Sequence, residues 1–441
     1  MCLVVIVGHR KPTMVTMPNL SNLPEDVLES ILVRLPAGSV ARCRAVCRAW
    51  RSAVSRPSLD RVHAQRPAVV AKVTVATAEV GRTETTVAFD FFHGRWHRDK
   101  TLPSPRTLRF TSCDYPSCIT VLGSWDGIVC IQRRIYKPTP PGPGYRHFDQ
   151  YTLWNPLTMA CADASAPTSS GEIVGAYAHP STRRFQLLHA SSETVGDLPI
   201  APTAFRILGV GDAIMNWREL PLGLEEEILM NTRDARHVVS LHGNLHWLVL
   251  SGPASTLRVL AFDTTREKFR SLEAPERQRG RGRADLTTAR LRALSGDKLC
   301  IFDLELSTSA MDVWVLDDYD AVPQSWQLKE RISLVTWDKS DLSRTFSKVK
   351  VVQSVYDGEE IFFHNEDGRI YTFNLVEKEW LTAKWANVSK SSYSTSVSLV
   401  MHRESVLPGE VSFGEALSPA LSPMFHRSGQ QSYSLQQFRK H

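Results

Sequence analysis

The sequence predicts an α+β chain of more than one domain, with a small helical unit ahead of a larger all-β body. Between residues 19 and 63, apolar residues recur at helical spacing. Downstream of about residue 65, the pattern turns to short β-branched runs separated by Gly, Pro, Asn and Asp clusters, in units that repeat. A length of 441 residues leaves room for a large core in the second region.

In the helical region, Pro24 suits a first turn, where its missing N–H costs nothing. Val27, Leu28, Ile31, Leu32 and Leu35 then form an apolar stripe that Pro36 ends. Glu25, Asp26 and Glu29 crowd the end where the helix dipole favours negative charge. Ser39 is expected to cap the next helical run. Cys43, Val46, Cys47, Trp50 and Val54 share one helical face, and Arg44, Arg48 and Arg51 another, with a break near Ala45 that makes two short helices of this run. About 45 residues is too little for a large core, so such a unit leans on a partner or on the next domain. Each Leu or Ile buried in a partner contributes roughly 1.5–3 kcal/mol. By spacing alone, an ordinary helical hairpin capping the next domain accounts for the stretch equally well.

The motifs favour the docking unit. Leu23-Pro24, Leu35-Pro36 and Val46-Cys47-Arg48-Ala49-Trp50-Arg51 together resemble the F-box, a helical peg that plugs into the Skp-type adaptor of cullin–RING ubiquitin ligases. Leu59 replaces the aromatic residue that commonly closes the motif, and Ala37-Gly38 replaces longer side chains. The resemblance implies a three-helix F-box over 19–63, with Leu23, Pro24, Leu28, Ile31, Leu32, Val46 and Trp50 as adaptor-binding candidates. Some of these must build the unit's own small core, and spacing does not separate the two sets.

In the body, strands are expected at residues 69–77, 85–92 and 236–250. One recurrent unit sets a small turn before an apolar strand. It appears around Gly127, Gly243, Gly296 and Gly358, which lie 116, 53 and 62 residues apart. A second unit runs aromatic strand, polar turn, aromatic strand, at 151–158, 261–269 and 371–380, and reads as an outer hairpin. Strand repeats with a period near about 55–60 residues indicate blades of a β-propeller, about six of them over 65–407. These units also resemble the plant F-box-associated domain. The shared points are Gly127-Ile128-Val129-Cys130, Leu153-Trp154-Asn155-Pro156, Gly243-Asn244-Leu245-His246-Trp247, Phe262-Asp263 with Glu267-Lys268-Phe269, and Asp312-Val313-Trp314-Val315-Leu316-Asp317-Asp318-Tyr319 with Ser325-Trp326.

Charge and cysteine usage narrow the function classes. The formal net charge is +6. Residues 1–66 carry ten Lys/Arg against four acids, also +6, so the remainder sums to zero. A nucleic-acid protein puts its surplus on its main binding surface; here the surplus sits on the helical unit, where the resemblance gives it a use in steering an acidic adaptor. Neither nucleic acid nor membrane is an expected partner. Eight cysteines without a C-x-x-C pair match no zinc template. They point to a reducing compartment, cytoplasm or nucleus. Residues 1–18 are expected to be a flexible leader, and the Ser/Pro/Gln-rich residues 408–441 a disordered tail.

Catalytic furniture is sparse. His242 and His246 have H-x-x-x-H spacing, but they flank a Gly-Asn turn in a strand context and read as packed histidines rather than metal ligands. Arg277, Arg279, Arg281 and Arg283 read as a solvated connecting loop, and Asp317, Asp318 and Asp320 as an exposed turn rather than a cation site. No nucleophile triad, phosphate loop or dinucleotide fingerprint appears in the sequence, so neither a catalytic residue nor a cofactor or metal is expected. The resemblance implies a non-catalytic substrate receptor. It would bind an unidentified target, while the adaptor, cullin and RING subunits supply the rest and catalysis comes from proximity. Two rivals stand beside it: an F-box protein that binds partners without promoting degradation, and a propeller oxidase.

Overall fold

The computed structural model describes residues 23–35, 37–54, 56, 59, 69–78, 84–91, 106–111, 117–138, 145–168, 170–192, 201–211, 216–221, 223, 227–230, 238–252, 255–275, 286, 288–294, 298–334, 350–354, 358–364, 369–384, 393–403 and 405. The expected leader, the tail and the loop from Arg277 to Arg283 lie outside the described residues. The chain divides into two compact units, Met1–His63 and Ala64–His441.

The first unit contains α1 (Glu25–Arg34), α2 (Ala37–Cys43) and α3 (Arg48–Val54). Pro24 stands one step before the first turn, as the N-cap with ψ 146°, and its carbonyl accepts the Leu28 N–H at 3.0 Å. Ser39 does not cap α2, which has already begun at Ala37; its Oγ instead accepts from the Arg42 guanidinium at 3.1 Å. The chain turns at residues 44–46, so Arg44 leaves the helical face that Arg48 and Arg51 keep.

The second unit is built of antiparallel sheets. Strands β1 (Val69–Ala78), β2 (Glu84–Phe91) and β3 (Arg106–Thr111) form most of sheet I. Sheet II holds β4 (Ser117–Trp125), β5 (Ile128–Pro138), β6 (Tyr145–Trp154) and β7 (Cys161–Ser165). Sheet III holds β8 (Glu172–Ala178), β9 (Phe185–Ser191), β10 (Ala204–Gly209) and β11 (Arg218–Leu220). Sheet IV holds β12 (Ile228–Met230), β13 (Val239–Leu241), β14 (Asn244–Ser251), β15 (Thr256–Asp263) and β16 (Lys268–Glu273). The expected strand over 236–250 is therefore two strands, β13 and β14, divided by the His242-Gly243 turn. Sheet V holds β17 (Ala289–Leu294), β18 (Lys298–Glu305), β19 (Ala310–Leu316) and β20 (Trp326–Ser333), and sheet VI holds β21 (Lys350–Ser354), β22 (Gly358–His364), β23 (Arg369–Asn374) and β24 (Trp380–Lys384). The last strand, β25 (Tyr393–His402), returns to sheet I and pairs with β1 from Val69↔His402 to Ala78↔Tyr393.

Consecutive sheets share apolar layers. Val73, Val87 and Phe89 of sheet I meet Val129, Ile131 and Trp154 of sheet II. Similar clusters join II to III, III to IV, IV to V and V to VI. On the remaining side β21 lies against β25 and β1. In sheet III burial falls in chain order: β8 and β9 are almost wholly buried, whereas β11 exposes two of its three residues. Likewise β18 is buried over six consecutive residues while most of β20 is exposed. A sheet covered on both faces needs apolar residues on both, which is why β14 reads Leu-His-Trp-Leu-Val-Leu without alternation.

The turns are set by local chemistry. Asp126-Gly127 between β4 and β5 has φ 46° and 82°, and His242-Gly243 between β13 and β14 has 50° and 70°, the positive pair of a tight hairpin turn. The outer hairpins use a capped turn instead. The Asn155 carbonyl Oδ1 accepts the N–H groups of Leu157 and Thr158 at 2.7 and 3.0 Å, and Asp263 and Asn374 do the same for the residues two and three further on. Each such turn ends on a left-handed residue: Met159, Glu267 or Lys378.

Candidate functional site

The helical unit separates the predicted adaptor residues into two sets. Leu28, Leu32 and Trp50 are buried, together with Val40, Cys43, Ala53, Val54 and Leu59. Leu32 has no exposed surface at all, so it holds the helices together. Pro24 is exposed, and Val46 is 56% exposed in the turn between α2 and α3. Leu23 and Ile31 are half-buried. Val27, absent from the predicted set, is 40% exposed and lies one helical turn from Ile31 on α1. Spacing missed this division because Leu28-Leu32 and Val27-Ile31 are adjacent i, i+4 pairs of equal hydrophobicity; only the packing of α1 against α3 decides which pair turns inward.

The same unit exposes charged side chains. Arg42, Arg48 and Arg51 are exposed. The Arg51 Nε donates to the Arg44 carbonyl at 3.1 Å, which braces the turn that presents Val46. Arg56 pairs with Glu25 and lies 3.9 Å from Glu29. Glu25 and Glu29 of α1 are thus engaged within the unit, while Arg42, Arg48 and Arg51 around α2 and α3 are exposed. Burial pushes the Cys43 thiol up against the opposing pull of Arg42, so it packs as a small apolar group.

In the β unit, His242, His246 and Tyr319 converge. His246 is buried, with Nδ1 at 3.1 Å from the Val239 carbonyl and Nε2 at 2.6 Å from the Tyr319 hydroxyl. A carbonyl only accepts, so Nδ1 carries the proton and Nε2 accepts from tyrosine. Burial lowers the His246 pKa to about 4. Its one free electron pair is engaged, which leaves nothing for a metal in this arrangement. The His242 ring packs against Tyr319 at 4.7 Å between centroids, tilted by 40°, and the Arg270 guanidinium lies 4.8 Å from the Tyr319 ring centroid. Among the described residues, no three His, Cys, Asp or Glu side chains converge as metal ligands. Asp318 and Asp320 are exposed, and the Asp318 carboxylate accepts the Asp320 N–H at 3.0 Å within the β19–β20 turn.

Two tryptophans tie neighbouring sheets at their outer edges. Trp217 Nε1 donates to the carbonyl of Ser165, the last residue of β7, at 3.0 Å. Trp326 Nε1 donates to the carbonyl of Glu273, the last residue of β16, at 2.9 Å. The interval between them, 109 residues, is about two repeats, so tryptophan spacing is a further sign of the repeat in the sequence.

Comparison with known proteins adds to this geometry. Residues 20–62 match the F-box domain family, and residues 214–413 match the F-box associated beta propeller domain family. An F-box/kelch-repeat protein of Arabidopsis thaliana is 24% identical over 322 residues, covering 69% of this chain and 78% of that protein. Two F-box proteins of the same plant are 22% and 23% identical, each covering 70% of this chain and 72% and 79% of their own lengths. Similar solved structures include a prolyl endopeptidase (TM-score 0.32, 11% identity, 76% of this chain and 43% of that one) and an Aleuria aurantia lectin (TM-score 0.31, 8% identity, 77% and 97%). Likenesses this slight bear on neither fold nor activity. The chain carries an F-box domain and an F-box-associated β-propeller domain, and its homologues are F-box proteins of Arabidopsis.

Proposed function

We propose that this chain is the substrate-recognition subunit of a Skp–cullin–F-box ubiquitin ligase, acting in the cytoplasm or nucleus without a catalytic centre of its own. In this reading α1, α2 and α3 are a three-helix F-box. Pro24, Val27 and Val46 meet the adaptor, Leu23 and Ile31 flank the contact, and Leu28, Leu32 and Trp50 keep the peg in shape. The six sheets are six propeller blades closed by β25, and they hold the target protein. Cullin and the RING subunit join through the adaptor.

The observation that carries this is the outward placement of Val27 and Val46 on a unit that already has its own core. Covering each adds about 1 kcal/mol, given its partial exposure. The test is co-purification of the full chain with a Skp-type adaptor and cullin, beside Val46→Glu and Val27→Glu. Wild-type binding that both variants lose, with unchanged thermal unfolding, supports the reading. A wild type that fails to bind, or variants that bind as well, overturns it. Proteasome-dependent turnover of a captured target separates a degradative receptor from an F-box protein that only binds.

A further inference from the structure

Residues 317–328, Asp-Asp-Tyr-Asp-Ala-Val-Pro-Gln-Ser-Trp-Gln-Leu, hold three carboxylates and no lysine or arginine. They also carry two apolar side chains that the fold leaves open to solvent. Val322 is 89% exposed, the most exposed large apolar side chain among the described residues, and Leu328, the third residue of β20, is 43% exposed. Leu328 stands opposite Trp314, and Trp326 opposite Leu316, so these four share one face of sheet V. Trp314, Leu316 and Trp326 belong to the apolar layer that sheet V shares with Val259 and Leu272 of sheet IV. Trp314 and Trp326 are only half-buried, and Leu328 continues their face out to solvent on β20, the last strand of the sheet.

The turn that presents Val322 is tied down on both sides of it. The Asp317 N–H donates to the Ser325 carbonyl at 3.0 Å, and Gln324 Nε2 donates to the Ala321 carbonyl at 3.0 Å. Gln324 Oε1 accepts the Glu273 N–H at 3.1 Å, and Tyr319 is fixed by His246, His242 and Arg270. A turn tied in this way loses little conformational freedom when a partner covers it. Charge then selects the partner. Asp317, Asp318 and Asp320 are exposed, and among the described residues none of the three takes part in an ion pair. Nucleic acid and an anionic membrane are repelled by such a surface. A partner that is apolar alone strips water from the carboxylates without replacing it.

We infer that the β19–β20 turn and the start of β20 form a docking surface for a segment of a target protein that mixes apolar side chains with lysine or arginine. Its apolar side chains cover Val322 and Leu328, and its cations pair with Asp317, Asp318 and Asp320. The inference rests on the reading of the β unit as the target-binding domain.

The test pans a displayed library of short random peptides on the full-length chain. Recovered peptides are then measured against wild type, Val322→Ser, the Asp317→Lys/Asp320→Lys double variant, and Val376→Ser as a control at an exposed valine in the β23–β24 turn. Asp318 is left in place because its carboxylate accepts the Asp320 N–H. Expected are sequences that combine Lys or Arg with aliphatic or aromatic residues. Their affinity falls about tenfold or more in Val322→Ser and in the double variant, and stays unchanged in the control. Amide-exchange protection on peptide binding, read on the wild type and so independent of any variant's folding, should fall within residues 317–328. A library that yields no peptide, peptides without basic bias, equal affinity for the variants, or protection elsewhere overturns the proposal. So does self-association of the chain that Val322→Ser abolishes, which makes a second copy the occupant. Adaptor co-purification is measured in parallel, so loss of peptide binding with the adaptor retained sinks this site alone and leaves the receptor reading standing.

Discussion

Acidification is expected to destabilise the β unit through three buried imidazoles. His189, His246 and His402 have essentially no solvent exposure. Burial lowers their pKa values to about 4, about 4 and about 3; Arg206 adds to the effect at His189, Arg270 and His242 at His246, and Arg106 at His402. In the unfolded chain each returns to about 6.5. Between about pH 6.5 and the folded values, only the unfolded chain takes up these protons, so stability is full above pH 6.5 and lost as the pH falls below it. At pH 5 the loss is about 2 kcal/mol for each histidine, or about 6 kcal/mol together. Staying at pH 5 or above keeps most carboxylate titration out of the measurement. The assay is urea unfolding of the full chain at pH 7.5 and pH 5, with His402→Gln beside it. That variant removes one titrating group, and the difference between the two pH values should shrink by about a third, whatever the substitution does to absolute stability. A midpoint that does not move between the two pH values refutes the reasoning, as does a variant with the full pH effect.

Two other expectations concern turns and seams. Gly127 and Gly243 occupy matching turns with positive φ, yet their surroundings differ. A Cβ at Gly127 would lie 2.4 Å from the Ser405 Cβ, whereas Gly243 has nothing within 4 Å. Gly243→Ala should cost about 1–2 kcal/mol from backbone strain alone, and Gly127→Ala a further 1–3 kcal/mol, roughly, from the clash; equal unfolding midpoints for the two would contradict this. Trp326→Phe keeps the ring but loses the bond to the Glu273 carbonyl, so it should cost about 1 kcal/mol in the same assay, with no loss indicating that the bond adds nothing.

The parts legible in the sequence are those whose signal is local. The outer hairpins at Asn155, Asp263 and Asn374 were readable because a short acceptor side chain and a left-handed residue four positions on act within one turn. The 116-residue gap between Gly127 and Gly243 reflects a substitution of one device for another. In sheet III, the β8–β9 turn is capped by the His179 ring, which accepts from Ser181 and Thr182 at 3.3 Å, and it ends on Arg183 with φ 59°, so no glycine marks it. Long-range choices left no such trace. Nothing local tells that Leu28 faces inward and Val27 outward, or that β25 seeks β1. At the candidate site, residue types were therefore readable while their orientation was not.

The return of β25 to β1 has a consequence for synthesis. More than 300 residues separate Val69 from its partner His402. At about 5–20 residues per second, the first strand leaves the ribosome roughly 20–60 s before the strand that completes its sheet. Throughout that interval the edge of β1 lacks its partner, and Lys72 is the one charged residue in a strand otherwise made of Val, Ala and Thr that works against pairing with another nascent chain. A chain cut before Tyr393 lacks the strand that pairs with this edge, so it is expected to aggregate more than the full chain.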